Sequence, residues 1–201
     1  MERTGHESPR AFGILLGPPF TKTLDVSSDR SLTVMNSHFL LMAKYNAWAN
    51  ARLYKMASDL PDELYRKNVG AYFGSLHGTL NHILTADRIW MRRLTGTGEH
   101  PDKLNAILFD DVGSLRAARQ AEDQRILSFV EGLAEGDFEK TLEYRTLSGA
   151  PQKQLLGEIL AHFFNHQTHH RGQGHAILTV LGIAEPDPLD LLAMLRQRPN
   201  Q

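Results

Sequence analysis

The stretch His162-Phe163-Phe164-Asn165-His166-Gln167-Thr168-His169-His170-Arg171-Gly172-Gln173 decides how this chain is read. It sits inside a helical pattern that runs from about Lys153 to Leu181 and stops at Gly182. Four of the chain's ten histidines fall within nine of its residues. Histidines four apart on a helix share one face, with Cβ atoms about 6 Å apart. That is the spacing at which two imidazoles can share one divalent metal.

On a wheel of about 100° per residue with His166 at zero, Leu156, Ile159, Phe163, Ile177 and Leu181 fall at about +20° to +80°. The expected core direction is therefore near +40°. His166 and His170, at about 0° and +40°, point inward, with Gln173 one turn beyond them. His162 and His169 fall on the flank at about −40° and −60°, and His175 faces solvent at about 180°. A single inward histidine is ordinarily a hydrogen-bonded core residue. Two side by side in one apolar stripe are costly unless something satisfies their nitrogens, and a metal does so. The zinc-protease form His-Glu-x-x-His is absent, because position 167 is Gln.

Working outward, three more amphipathic helices appear. The first spans Ser37 to about Ser58, with Met42, Ala49, Leu53 and Met56 on one stripe, and ends before Pro61. The second starts after Ser75 as N-cap, carries Leu76, Leu80, Ile83, Leu84, Trp90 and Leu94, and stops at Gly96. A long link, Thr95 to Gly113, leads to the third, which begins after Ser114 and closes at Gly136. Leu142 to Thr146 alternates weakly before Ser148-Gly149, a short hairpin pattern. A final short helix is expected over Pro188 to Arg196. The fold class is therefore all-α, a four-helix bundle with a short C-terminal helix. Residues 1–34 lack a sustained period and read as a flexible N-terminal tail, with Met35 as a candidate true start; residues 35–201 form the bundle domain.

Composition narrows the chemistry. The chain has 201 residues, 41% of them apolar, enough for one domain with a sizeable core. Its formal net charge of −1 offers no strong pull toward nucleic acid. No stretch of apolar residues is long enough for a membrane span, and nothing argues for export, so a cytoplasmic protein is expected. With no cysteine, any metal must be held by His, Asp, Glu or water, and the chain has no thiol nucleophile of its own.

A third ligand should come from another helix. His77 and His82 lie on opposite flanks of the second helix's stripe, and periodicity does not choose between them. Small Thr79 and Ala86 near His82 would leave room for an ion. Asp87, close to the stripe centre, is a candidate ligand, ligand partner or buried ion-pair member.

Lys44-Tyr45-Asn46-Ala47-Trp48-Ala49-Asn50, Leu80-Asn81-His82-Ile83-Leu84-Thr85-Ala86-Asp87-Arg88-Ile89-Trp90 and His162 to Gln173 together resemble the DinB family of damage-inducible, metal-dependent proteins, the DinB/YfiT-like group. The likeness covers about residues 35–183. It implies a bundle of up-down-down-up order, which the long link suits. It also implies a metal triad of one helix-two histidine with a His-x-x-x-His pair on helix four, here His82, His166 and His170. His162, Arg171 and Gln173 belong to the same pattern in supporting roles. Homodimers are frequent in the family.

Three neutral imidazoles around Zn²⁺ or Ni²⁺ leave positions open for water or substrate. The resemblance further implies a thiol-dependent S-transferase in stress or detoxification, using a low-molecular-weight thiol such as mycothiol, bacillithiol or glutathione. A non-catalytic metal-binding stress protein and a metal-dependent hydrolase are the alternatives.

Overall fold

The protein's structure is a computed structural model that describes residues 28–197. Of the tail expected over 1–34, residues 1–27 lie outside the described residues. The first helix, α1 (Ser28–Ser58), begins upstream of Ser37, where the tail was expected. No Gly or Pro interrupts the chain between Pro19 and Pro61, so nothing in the sequence stops a helix there. A short helix the periodicity missed, α2 (Asp62–Arg66), follows Pro61 and buries Tyr65.

Helix α3 (Leu76–Thr95) matches its expected signals. Ser75 Oγ accepts from the Gly78 amide at 3.1 Å, and Gly96 closes the helix at φ 72°. Helix α4 (Val112–Glu131) starts earlier than expected because Asp111 caps it, accepting from Ser114 N at 2.7 Å. It also ends earlier than Gly136, and Glu135–Glu139 forms a separate 3-10 turn. The weak alternation is a true hairpin: β1 (Thr141–Arg145) pairs antiparallel with β2 (Pro151–Leu155) around Gly149 at φ 87°. The last long helix, α5 (Leu156–Val180), therefore starts later than the expected Lys153, whose residue is in β2. Helix α6 (Leu191–Arg196) is the short C-terminal helix.

Contacts fix the helix directions. Asn36 in the first half of α1 donates to Leu133 O just beyond α4, and Asn46 and Asn50 farther along reach Asp123, so α1 and α4 are antiparallel. Asp87 pairs with Arg119 and Thr95 with Arg125, so α3 and α4 run parallel. His82 faces His170 while Trp90 faces His162, so α3 and α5 are antiparallel. Phe39 stacks near Phe164 and Leu53 meets Gly174, so α1 and α5 are parallel. The order is up-down-down-up. Two parallel neighbours need a connection that returns the length of the bundle, and the link after Gly96 provides it.

The core is divided along the bundle axis. One apolar cluster gathers Leu53, Tyr54, Leu80, Leu84, Leu115 and Ile177. Another gathers Phe39, Met91, Ile126, Val130, Phe163 and Phe164. Between them, at the middle of every long helix, lies a belt of buried polar residues: Asn46, Asn50, Asp87, Arg119, Asp123, Gln167 and Arg171. Arg119 donates to Asp87 at 2.5 Å and pairs with Asp123 at 3.0 Å. Asp123 also accepts from Asn46 and Asn50 at 3.1 and 2.9 Å. Gln167 donates to Asp87, and Arg171 donates to Asn46. Two buried carboxylates thus face two buried guanidiniums.

That belt corrects the wheel. Gln167 and Arg171, at about +100° and +140° from His166, are in the core, as are Leu160 and Leu178. The buried face of α5 therefore centres near +90°, rather than +40°. The five apolar residues that set +40° lie on one edge of this face; Leu160, Phe164 and Leu178, at about +120° to +160°, are buried on its other edge.

Candidate metal centre

His82, His166 and His170 come together at the rim of the α3–α5 seam, level with the polar belt. One ring nitrogen from each lies within 4.8 Å of the other two. His82 and His170 are 3% and 9% exposed, and His166 is half-buried, as its corrected angle requires.

The hydrogen bonds fix two tautomers. His82 Nδ1 lies 2.7 Å from Leu104 O, an atom that can only accept, so Nδ1 carries the proton. His170 Nδ1 lies 2.8 Å from Gln173 Oε1 and donates likewise. Gln173 in turn donates to His169 Nε2 at 3.0 Å. The two Nε2 atoms that remain, each with a bare lone pair, face one another at 3.2 Å. Neither can donate to the other, so the pair is repulsive unless a cation stands between them. Two nitrogens on a tetrahedral zinc, each at about 2.0–2.1 Å, would be separated by about 3.3 Å. The donor set fits a divalent ion.

Protonation does not supply that cation. Burial pushes His82 down to about 4, with His170 adding to the shift. His166 is pushed down to about 3, first by burial and then by His170 and His82. His170 is lowered as well, again chiefly by burial. All three imidazoles are neutral near pH 7, the form a metal requires.

The surroundings hold these rings in place. Leu104 belongs to the link between α3 and α4, so the connection that crosses the bundle also orients His82. Asn81 secures the same segment, its Oδ1 accepting from Leu108 N and Phe109 N at 2.8 and 3.0 Å. Phe73 stacks on His82 with ring centroids 3.8 Å apart and meets His170 edge-on. Its placement depends on Gly78, where a Cβ would stand 2.1 Å from the Phe73 carbonyl oxygen, and on Gly74 at φ 76°.

The other candidates have different places. His77 is on the far side of its helix turn, bonded to Phe109 O at 3.2 Å and edge-on to Tyr65. Asp87 is a buried ion-pair member, engaged by Arg119 and Gln167. His162 and His169 are exposed flank residues, His162 against Trp90 and His166. His175 is half-buried rather than free in solvent, and its ring meets Asp187 O at 3.1 Å. Arg171 lies in the polar belt, donating to Asn46 and Thr168. Phe73, the Leu104 carbonyl and Arg119 had no periodic signal. Asp87, a polar residue close to the centre of an apolar stripe, is the sequence signal for the belt.

Beside His166 opens a cleft of about 490 Å³, walled by Trp90, Arg93, Leu104, Tyr144, His162 and His166. The hairpin contributes Tyr144, Thr146, Leu147 and Ser148, so β1 and the turn after it build one wall of the approach to the histidines.

The family model described as "DinB family" matches residues 35–200. The chain belongs to the DinB family. A DinB relative, Protein DinB of Bacillus subtilis (strain 168), is 25% identical over 156 residues, which is 75% of this chain and 90% of that protein. A solved DinB-like protein from Bacillus cereus ATCC 10987 superposes with a TM-score of 0.56 at 19% identity, over 72% of this chain and 91% of that one. That likeness supports the bundle fold. Within this DinB-family chain the buried three-histidine group could hold a metal ion, and no helix of the described residues is long and apolar enough to cross a membrane.

Proposed function

We propose that the protein is a metal-dependent enzyme of the thiol S-transferase type, a cytoplasmic homodimer acting in stress or detoxification. His82, His166 and His170 would hold Zn²⁺ or Ni²⁺. The observation that carries the reading is the pair of unprotonated Nε2 atoms of His82 and His170, 3.2 Å apart. Three protein nitrogens leave part of the ion's coordination open, the arrangement of catalytic rather than structural sites.

When bound, the ion supplies Lewis acidity that favours the deprotonated form of a thiol at neutral pH. The chain's residues do the rest. The Leu104 carbonyl and Gln173 keep the protons of His82 and His170 on the outer ring nitrogens. Phe73 covers one side of His82 and excludes water there. The cleft beside His166 admits the second reactant. In the overall reaction the co-substrate's sulfur forms a bond to an electrophilic carbon, the carbon's leaving group departs with its electron pair, and the thiol proton goes to solvent. The sulfur must come from the co-substrate, because the chain has no cysteine.

Among the described residues no carboxylate joins the histidine group, and Asp87, the nearest buried acid in sequence, is tied to Arg119. This supports thiol chemistry over hydrolysis, which commonly employs a carboxylate base beside the ion.

The test measures metal content, then conjugation of glutathione, bacillithiol and mycothiol to a chromogenic electrophile, with the zinc- or nickel-loaded protein and after chelation. Turnover that requires both metal and one of the thiols is expected, and both are lost in His166→Ala. A rate indifferent to chelation overturns the reading. Bound metal with no turnover on any thiol leaves the non-catalytic stress protein, and ester hydrolysis without thiol leaves the hydrolase. Light scattering on the eluted protein decides the dimer.

A further inference from the structure

The cleft beside His166 contains a cation that nothing in the fold accounts for. The Arg93 guanidinium lies between two aromatic faces, its central carbon 4.7 Å from the Trp90 ring centroid and 4.8 Å from that of Tyr144. Its Nε is buried and has no hydrogen-bond partner. Among the described residues no carboxylate faces it, and only the Tyr144 hydroxyl group acts on its charge electrostatically. Two other arginines of the neighbourhood are paired: Arg88 with Glu99, and Arg125 with Glu122. The hairpin's own acid, Glu143, is taken by Lys153 at 2.9 Å.

A half-buried guanidinium held rigid by two rings, with donors unspent and no counter-charge, is prepared for an anion from outside. Trp90 links it to the metal centre. Trp90 stands against His162 at 5.5 Å, and His162 against His166 at 5.9 Å, all along the same cleft wall. A ligand lying in this cleft would meet Arg93 at one end and the open face of the histidine group at the other.

We propose that Arg93 is the carboxylate anchor of the cleft, and that the ligand is a small molecule carrying a carboxylate at one end and a metal-seeking donor such as a thiol at the other. The proposal rests on the metal reading above and adds the charge of the co-substrate to it. Trp90 and Tyr144 act as positioning residues that hold the guanidinium flat and dry.

The test compares 3-mercaptopropionate with its neutral isostere 3-mercaptopropanamide, titrated calorimetrically into the zinc-loaded protein. The carboxylate probe is expected to bind about tenfold tighter or more, the effect of one charge-assisted hydrogen-bond pair. Arg93→Gln should erase the difference while zinc content stays unchanged, and Arg93→Lys should keep part of it. Equal affinities on the wild type overturn the proposal, as does a preference that survives Arg93→Gln. If the protein takes up no zinc, the metal reading falls on its own. The anchor is then judged with metal-free Trp48→Phe protein, through Trp90 fluorescence. Quenching by propionate, absent with propanamide and absent in Arg93→Gln, supports the anchor, and no discrimination overturns it.

Discussion

Two polar assemblies share the middle of this bundle, and they differ in what they lack. The belt of Asp87, Arg119, Asp123 and Arg171 sits at the centre, with both carboxylates against the Arg119 guanidinium and Arg171 bonded to Asn46. The histidine group sits at the rim and ends in two lone pairs that repel. A buried set whose charges are balanced from within stabilises one arrangement of helices. A buried set that is complete only with an added cation is a candidate metal site. The contrast places the self-paired charges at the axis and the candidate metal ligands at the edge, at the same level of α5, where Gln167 and Arg171 directly follow His166 and His170.

The comparison breaks most sharply if the centre is damaged. Arg119→Ala strands two carboxylates in the core and should cost about 3–5 kcal/mol, the loss typical of halving a buried ion pair. Urea unfolding measures it, and an unchanged midpoint would show that the belt carries no structural weight. Damage at the rim should do the opposite. His170→Ala is expected to lower metal affinity by more than the about 10–100-fold that losing an outer hydrogen-bond partner costs. Helicity and the metal-free melting temperature should stay close to wild type, since the substitution removes a repulsive contact. Metal titration and circular dichroism on one sample test both halves.

Acid sharpens the contrast next. His82 and His166 titrate near 4 and 3 in the fold, against about 6.5 in the unfolded chain. As pH falls below 6.5 the unfolded chain takes up protons that the folded protein refuses. Stability of the metal-free protein should therefore fall by up to about 1.4 kcal/mol per pH unit per histidine, the His82 part levelling below about pH 4 and the His166 part below about pH 3. Denaturant midpoints at pH 7, 6 and 5 test this, and a flat profile above pH 5 would mean that the rings are less desolvated than their burial indicates. The smallest effect expected is at Gly78. Gly78→Ala drives a methyl into the Phe73 carbonyl and should cost about 1–3 kcal/mol, the usual range for overpacking. It should also weaken metal binding modestly by lifting Phe73 from His82, and unchanged metal affinity would show that the stacked ring is dispensable.

Most of the architecture was legible because it rests on local signals. Ser75 and Gly96 bound α3 as caps should, and the four long stripes give four long helices. The misread boundaries are those set by partners distant in sequence. Lys153 has a helical neighbourhood, yet it pairs with Glu143 across the hairpin, and that pairing delays α5 to Leu156. The bundle's centre was the harder loss. Leu160, Phe164 and Leu178 put Gln167 and Arg171 on the buried face of α5, but that two such polar groups are tolerated there depends on Asp87 and Asn46 of other helices, which the pattern of one helix does not show. His166 and His170 were readable from spacing alone, whereas choosing His82 over His77 required the family's pattern. The link carbonyls separate the two in space: Leu104 holds His82 at the site, and Phe109 holds His77 away from it.

The crossing link has a practical consequence for anyone wishing to add sequence to this protein. Its first part, around His100 to Lys103, is mostly exposed, while Leu104 to Phe109 is fastened to α3 through His82, Thr85, Asn81 and His77. A peptide tag placed between Pro101 and Asp102 should be accommodated as slack. The same tag placed between Leu104 and Phe109 would unfasten a histidine. The connection is thus a usable insertion port on one side of Leu104 and part of the histidine site on the other.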